Sequence, residues 1–148
     1  MENLFGGPSD QQIFGIYTHL EKLRPAQLER LNTLVQTRPI LLKGEFYIRA
    51  TSQNGIDFVF PDPTLLSEHQ VIAWSRILDG KEVLCAVNLD EYDLAVRYAT
   101  IDNALHEVNS SMRCLFASEL SPAELNVEER NGKAIRLTIP PRALVIYG

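Results

Sequence analysis

The stretch VIAWSRILDGKEVLCAVNLD, residues 71–90, decides how the rest of this chain is read. Two apolar runs flank Leu78-Asp79-Gly80-Lys81, and Asp-Gly between such runs signals a tight β-hairpin turn. Gly80 can take the positive φ that the turn demands, because it has no Cβ to clash with the backbone. In the first run Ile72, Trp74 and Arg76 oppose Val71, Ala73 and Ile77. In the second, Val83, Cys85, Val87 and Leu89 oppose Leu84 and Ala86. Both faces are mostly apolar, so both must be covered. The hairpin is expected at the centre of a sandwich, not in a sheet with one wet face.

Working outward, the two-residue period extends across most of the chain. Strands are expected over 45–50, 57–60, 71–78, 82–89, 94–101, 112–117, 125–129, 134–139 and 143–147. Between them lie turn-forming pairs such as Asn54-Gly55, Asp102-Asn103, Asn131-Gly132 and Pro140-Pro141. The run 134–139 alternates cleanly, placing Ile135, Leu137 and Ile139 inward and Arg136 and Thr138 outward. By the same alternation Tyr98, in phase with Leu94 and Val96, is expected to face inward. Short strands at this spacing predict a mainly β fold, an antiparallel Greek-key β-sandwich.

Before residue 45 the period is helical. Ile13, Ile16, Tyr17, Leu20 and Leu23 share one face of a first segment, capped by Ser9 or Asp10. Pro25 biases Arg24 out of the α region, then suits the first turn of a second segment carrying Leu28, Leu31, Leu34 and Val35. That segment should stop near Thr37-Arg38-Pro39. Residues 1–44 are therefore expected as a helical segment, either one kinked helix or two short ones, and residues 45–148 as the sandwich. The leucines of the helical segment need an apolar partner. The segment is expected to dock on its own sandwich or to pair with a second copy of the chain.

Composition narrows the function classes. With 148 residues, 45% hydrophobic and 22% charged, the chain suits one globular domain, or one domain with an appendage. A net charge of -5 offers no basic stripe for nucleic acid. No apolar run reaches the roughly 18 to 20 residues of a membrane span. The first residues, MENLFGGPSD, lack the basic and apolar regions of a signal peptide, so a cytoplasmic location is expected. Cys85 and Cys114 lie in apolar strand patterns and read as two small buried thiols, with a disulfide between them allowed but not required.

Reactive chemistry is sparse. His19, His69 and His106 show no metal-ligand spacing, no serine sits in a G-x-S-x-G turn, and Gly6-Gly7 lacks the strand and lysine of a phosphate loop. Neither a metal nor a cofactor is implied. The cluster Asp90-Glu91-Tyr92-Asp93 could supply paired carboxylates, but its spacing fits no calcium loop. It reads as a solvated connection whose acids ionise near their free values. Trp74 could stack on a sugar, but its doubly apolar strand favours core packing. Tyr47, Tyr92 and Trp74 are the candidate carbohydrate contacts, and no catalytic residue is assigned.

The order of segments also resembles a known family. LERLNTLVQTRPILLKGEFYIRA (residues 28–50) resembles the last barrel helix, and the exit from it, in α-amylase-type enzymes of glycoside hydrolase family 13. The matching positions are Arg38-Pro39-Ile40-Leu41, Gly44 and the aromatic strand Phe46-Tyr47-Ile48-Arg49. In the hairpin, Ala73, Arg76, Val83, Val87 and Asn88 are similar to that family's C-terminal domain. The ending AIRLTIPPRALVIYG resembles its terminal hairpin, and MENLFGGP the loop beyond its eighth barrel strand. The resemblance implies a C-terminal β-sandwich beside a catalytic (β/α)8 barrel.

It also implies that the family's catalytic carboxylates lie on barrel strands preceding residue 1. No acidic residue here matches them. The expected function is thus a non-catalytic, structural or stabilising piece of an α-amylase-like glycoside hydrolase, not an enzyme in itself. Its expected partner is the missing barrel, or a second copy. The alternative is an α-glucan-binding module, which predicts exposed aromatics side by side. An active small hydrolase is disfavoured for want of a nucleophile or an acid pair.

Overall fold

The computed structural model describes residues 23–62 and 70–148. The helix expected over residues 11–22, and the histidines His19 and His69, lie outside these.

Helix α1 (Pro25–Thr37) starts where the sequence predicts, with Pro25 at its first position. The Gln27 side chain accepts a 2.9 Å bond from the Arg24 N–H, relieving one of the donors that a helix start leaves orphaned. Pro39 ends the helix, and a single turn, α2 (Ile40–Lys43), follows. Gly44 then lets the chain pass tightly into the first strand. A Cβ there would lie 2.7 Å from the Ile40 carbonyl oxygen and 3.0 Å from the Ile77 nitrogen.

Among the described residues ten strands follow: β1 (Glu45–Arg49), β2 (Thr51–Ser52), β3 (Val71–Leu78), β4 (Lys81–Asn88), β5 (Ala95–Ile101), β6 (Ser111–Ala117), β7 (Glu124–Asn126), β8 (Glu128–Glu129), β9 (Lys133–Ile139) and β10 (Leu144–Tyr147). They form two antiparallel sheets. The larger has the order β1-β3-β4-β10-β6-β7 and the smaller β2-β5-β9-β8. The β3–β4 hairpin pairs Leu78 with Lys81 across a two-residue turn. Gly80 has φ 73° as expected, and Asp79 joins it at φ 52°. Two successive positive φ values make the mirror-image turn whose twist matches that of paired strands.

The hairpin is buried on both faces, with a different cover on each. Ile72, Trp74, Val83, Cys85 and Val87 pack with Leu31 and Val35 of α1 and Leu41 of α2. Val71, Ala73, Leu84 and Ala86 pack against Ala95, Ala99, Ile135, Leu137 and Ile139 of the smaller sheet. The helices thus cover one side of the six-stranded sheet and the second sheet covers the other. At the far end of the helical layer, Gln27 is buried and its amide donates to the Ser118 carbonyl, anchoring α1 to the end of β6.

Three expectations are corrected. Residues 57–60 form no strand and contribute only a bridge between Val59 and Thr51. Just before them, Asn54 Oδ1 accepts the N–H groups of Ile56 and Asp57, each at 2.9 Å, which curls the chain out of extension. The run 125–129 is two strands in different sheets. Between them Val127 is buried and bonds to Asn109 and Ser110. Tyr98 does not face inward. Ala95, Ala99 and Ile101 enter the core from β5, while Tyr98 pairs across the sheet with exposed Arg136 and carries the Arg130 guanidinium 4.6 Å above its ring. Leu94 precedes the strand and is exposed, so the phase taken from it was the wrong one. Small alanines, not the tyrosine, fit between the sheets.

Candidate functional site

The most developed polar cluster is built around Glu82, the second residue of β4. Glu82 shares its strand face with Leu84 and Ala86 and points between the sheets, with its side chain wholly buried. An uncompensated buried carboxylate would be costly, so its partners define the site. Arg49 Nη2 of β1 donates to Glu82 Oε2 at 2.8 Å. His106 Nε2 lies 2.8 Å from Oε1, and the Asp102 N–H donates to the same oxygen at 3.0 Å. Arg49 Nε donates in turn to Ser75 Oγ at 2.8 Å.

Burial pushes the Glu82 carboxyl up. The bonds from His106, Ser75 and the Asp102 N–H, together with the Arg49 charge, outweigh it, and the carboxyl titrates below the usual glutamate range. An ionised Glu82 can only accept, so His106 Nε2 is the donor of their bond. Beside the cluster lies a cleft of about 560 Å³ lined in part by Ile40, Leu78, Val83, Leu105, His106 and Met112. This arrangement fixes a loop and shields a carboxylate.

Sequence reasoning reached His106 only as one isolated histidine and missed Glu82 and Arg49. A signal for Glu82 was available. It shares parity with Leu84 and Ala86, so an acid stood on a face already read as buried.

The acidic connection at 90–93 is a solvated turn. Asp90 Oδ1 accepts the N–H groups of Tyr92 at 2.8 Å and Asp93 at 2.9 Å. Those two bonds hold its carboxyl below the ordinary aspartate range, which corrects the expectation of an unshifted acid. Buried Asn88 braces the turn, donating to the Asp93 and Ile139 carbonyls and accepting from the Asp90 N–H. Glu91 pairs with Arg142 at 3.0 Å.

Of the three candidate carbohydrate contacts, one is buried and two are exposed. Trp74 is 0% exposed in the core under the helices, so its ring cannot meet a ligand. Tyr47 lies across from Ser75 on the opposite sheet face, 40% exposed, with its hydroxyl bonded to Glu45. Tyr92 is 85% exposed in the 90–93 turn.

Cys85 is fully buried and burial pushes its thiol up to about 12, the Arg76 charge opposing this only in part. Cys114 is only half-buried, short of the burial expected for it, and both cysteines are free. Among the described residues no group of three or more His, Cys, Asp or Glu side chains could hold a metal ion. Among the same residues no helix is long and apolar enough to cross a membrane.

The fold defines an antiparallel two-sheet β-sandwich with a helical cover on its larger sheet. No protein-family model matches this chain, and no curated protein matches it. Among solved structures it resembles the debranching enzyme from Nostoc punctiforme, with a TM-score of 0.52 and 18% identity over 80% of this chain. The native form of that enzyme gives a TM-score of 0.51 at 20% identity over the same share. In both cases the match covers 20% of the larger chain. The sandwich thus recurs as a small part of a much longer enzyme.

Proposed function

We propose that this chain is the non-catalytic β-sandwich portion of an α-amylase-like glycoside hydrolase, with a structural and stabilising role in carbohydrate metabolism. The observation that carries this reading is the lopsided match: 80% of this chain against 20% of the Nostoc punctiforme debranching enzyme. The resemblance of residues 28–50 and of the hairpin to the family's C-terminal region supports it. On this reading residues 1–44 are the end of a (β/α)8 barrel, residues 45–148 are the C-terminal Greek-key domain, and the cytoplasm is its compartment. The partner is the missing barrel, or a second copy of the chain through the helical segment.

The test is an assay of the purified chain on maltose, starch and pullulan. No reducing sugar should be released. Hydrolysis that follows the chain through purification and survives removal of trace enzymes would overturn the proposal.

A second reading, an α-glucan-binding module, draws on the exposure of Tyr47 and Tyr92. It requires that maltose or a longer α-glucan at millimolar concentration perturb the NMR signals of these residues, and that Tyr92→Ala abolish the effect. Unchanged spectra at that concentration would remove it.

A further inference from the structure

We infer that Glu82 is an acid-sensitive clasp. Ionised, it holds the loop at residues 102–106 against the six-stranded sheet, and protonated, it releases that loop.

The geometry assigns the role. Two of the four groups bonded to or paired with the Glu82 cluster come from the loop, the Asp102 N–H and the His106 imidazole, and two come from the sheet, Arg49 and Ser75. The carboxylate is therefore the bridge between a connection and a rigid layer. From the other side Lys133 of β9 donates to the Asn103 carbonyl at 2.7 Å and to the His106 carbonyl. Two cationic or protonatable side chains, Arg49 and His106, thus meet on a single buried anion.

Neutralising that anion does more than weaken its bonds. A protonated carboxyl accepts less strongly from its donors. The Arg49 guanidinium then stays without its counter-charge, in a place from which water is largely excluded. Neither Asp102 nor Glu45 is free to replace it. Asp102 Oδ1 is committed to the N–H groups of Ala104 at 2.8 Å and Leu105 at 3.0 Å within its own loop. Glu45 receives the Tyr47 hydroxyl. The second half of the loop stays anchored, because the Asn109 N–H donates to the Val127 carbonyl at 2.9 Å. Opening thus draws residues 102–106 off the six-stranded sheet while Lys133 still ties the Asn103 and His106 carbonyls to β9, and it withdraws Leu105 and His106 from the wall of the cleft. This inference does not depend on the hydrolase reading.

Amide hydrogen exchange on the 148-residue chain tests it, with protection corrected for intrinsic rates and β10 as internal reference. Between about pH 7 and about pH 3, protection at 102–106 should fall about tenfold or more while β10 is unchanged. In Glu82→Gln that protection should be low at both pH values. Loop protection that persists in acid, that is lost only together with β10, or that survives in Glu82→Gln would overturn the clasp. If Glu82→Gln fails to fold, carbon-13 NMR of the wild-type Glu82 carboxyl decides. Its titration midpoint must coincide with that of the Asp102 amide shift, and separate midpoints would equally overturn the proposal.

Discussion

The two faces of the six-stranded sheet are built from the same strands and solve burial in opposite ways. Toward the helices the strands present bulk: Ile72, Trp74, Val87, Phe116 and Ile146 fill the space under Leu31 and Leu41. Toward the second sheet the positions facing each other include Ala73, Ala86, Ala95 and Ala99. A helix lies on a sheet with curved contact and needs large side chains to close the gap. Two sheets pack face to face, and small residues let their backbones approach. The helix face buries one cation, Arg76, against the Phe46 ring, whereas the sandwich face carries the Glu82 carboxylate and its cluster at its margin. One face supplies stability, and the other holds a group that responds to pH.

Substitutions can break or sharpen this contrast. The largest effect is expected for Trp74→Ala, which leaves a void under the helices and should cost about 3–5 kcal/mol by denaturant unfolding. A loss below about 1 kcal/mol would mean that the helices do not close over this face. Ala86→Leu probes the opposite face. It overfills the gap between the sheets and should destabilise by about 1–3 kcal/mol, whereas a neutral result would show the sheets to be loosely packed. Gly80→Ala forces a Cβ into positive φ with no neighbour to clash against, so only backbone strain counts, about 1 kcal/mol in chemical denaturation. Tyr92→Ala removes an exposed ring from neither face and should stay within about 0.5 kcal/mol of wild type.

The faces also differ in pH response. Glu82 titrates lower in the folded chain than when unfolded. Its contribution is therefore fully present above the unfolded glutamate range, near pH 4.3, and is lost as pH falls through the lower folded value. Urea midpoints measured down this range should decline in wild type, with that part of the decline absent in Glu82→Gln. An identical pH dependence in both proteins would assign the decline to other acids.

How much of this was legible in the sequence follows from whether the relevant contacts are local. The hairpin announced itself because Asp79-Gly80 and two flanking apolar runs are adjacent, and the doubly apolar pattern correctly demanded two covers. The start of α1 at Pro25 and the inward set Ile135, Leu137 and Ile139 were equally local. The clasp was hidden because Arg49, Asp102 and His106 lie 33, 20 and 24 residues from Glu82. No spacing rule links them, and only the parity of Glu82 hinted at burial. Tyr98 misled for a related reason. Which side of β5 is the inside depends on how closely the second sheet approaches, a tertiary distance that alternation does not encode. The run 125–129 kept its extended conformation but changed sheets at Val127, a step invisible to a period of two.

The position of β10 carries a kinetic consequence. It lies between β4 and β6, and its pairing of Leu144 with Val87 joins residues 57 apart (144 − 87). Closing so long a loop costs chain entropy before any ladder bond repays it, so this pairing should form late. Until it does, β3–β4 and β6 stand as separate pieces with unsatisfied edges and an exposed apolar floor. Refolding should accordingly show an early hairpin phase and a slower closing phase. The interval between them is when this chain is most prone to self-association.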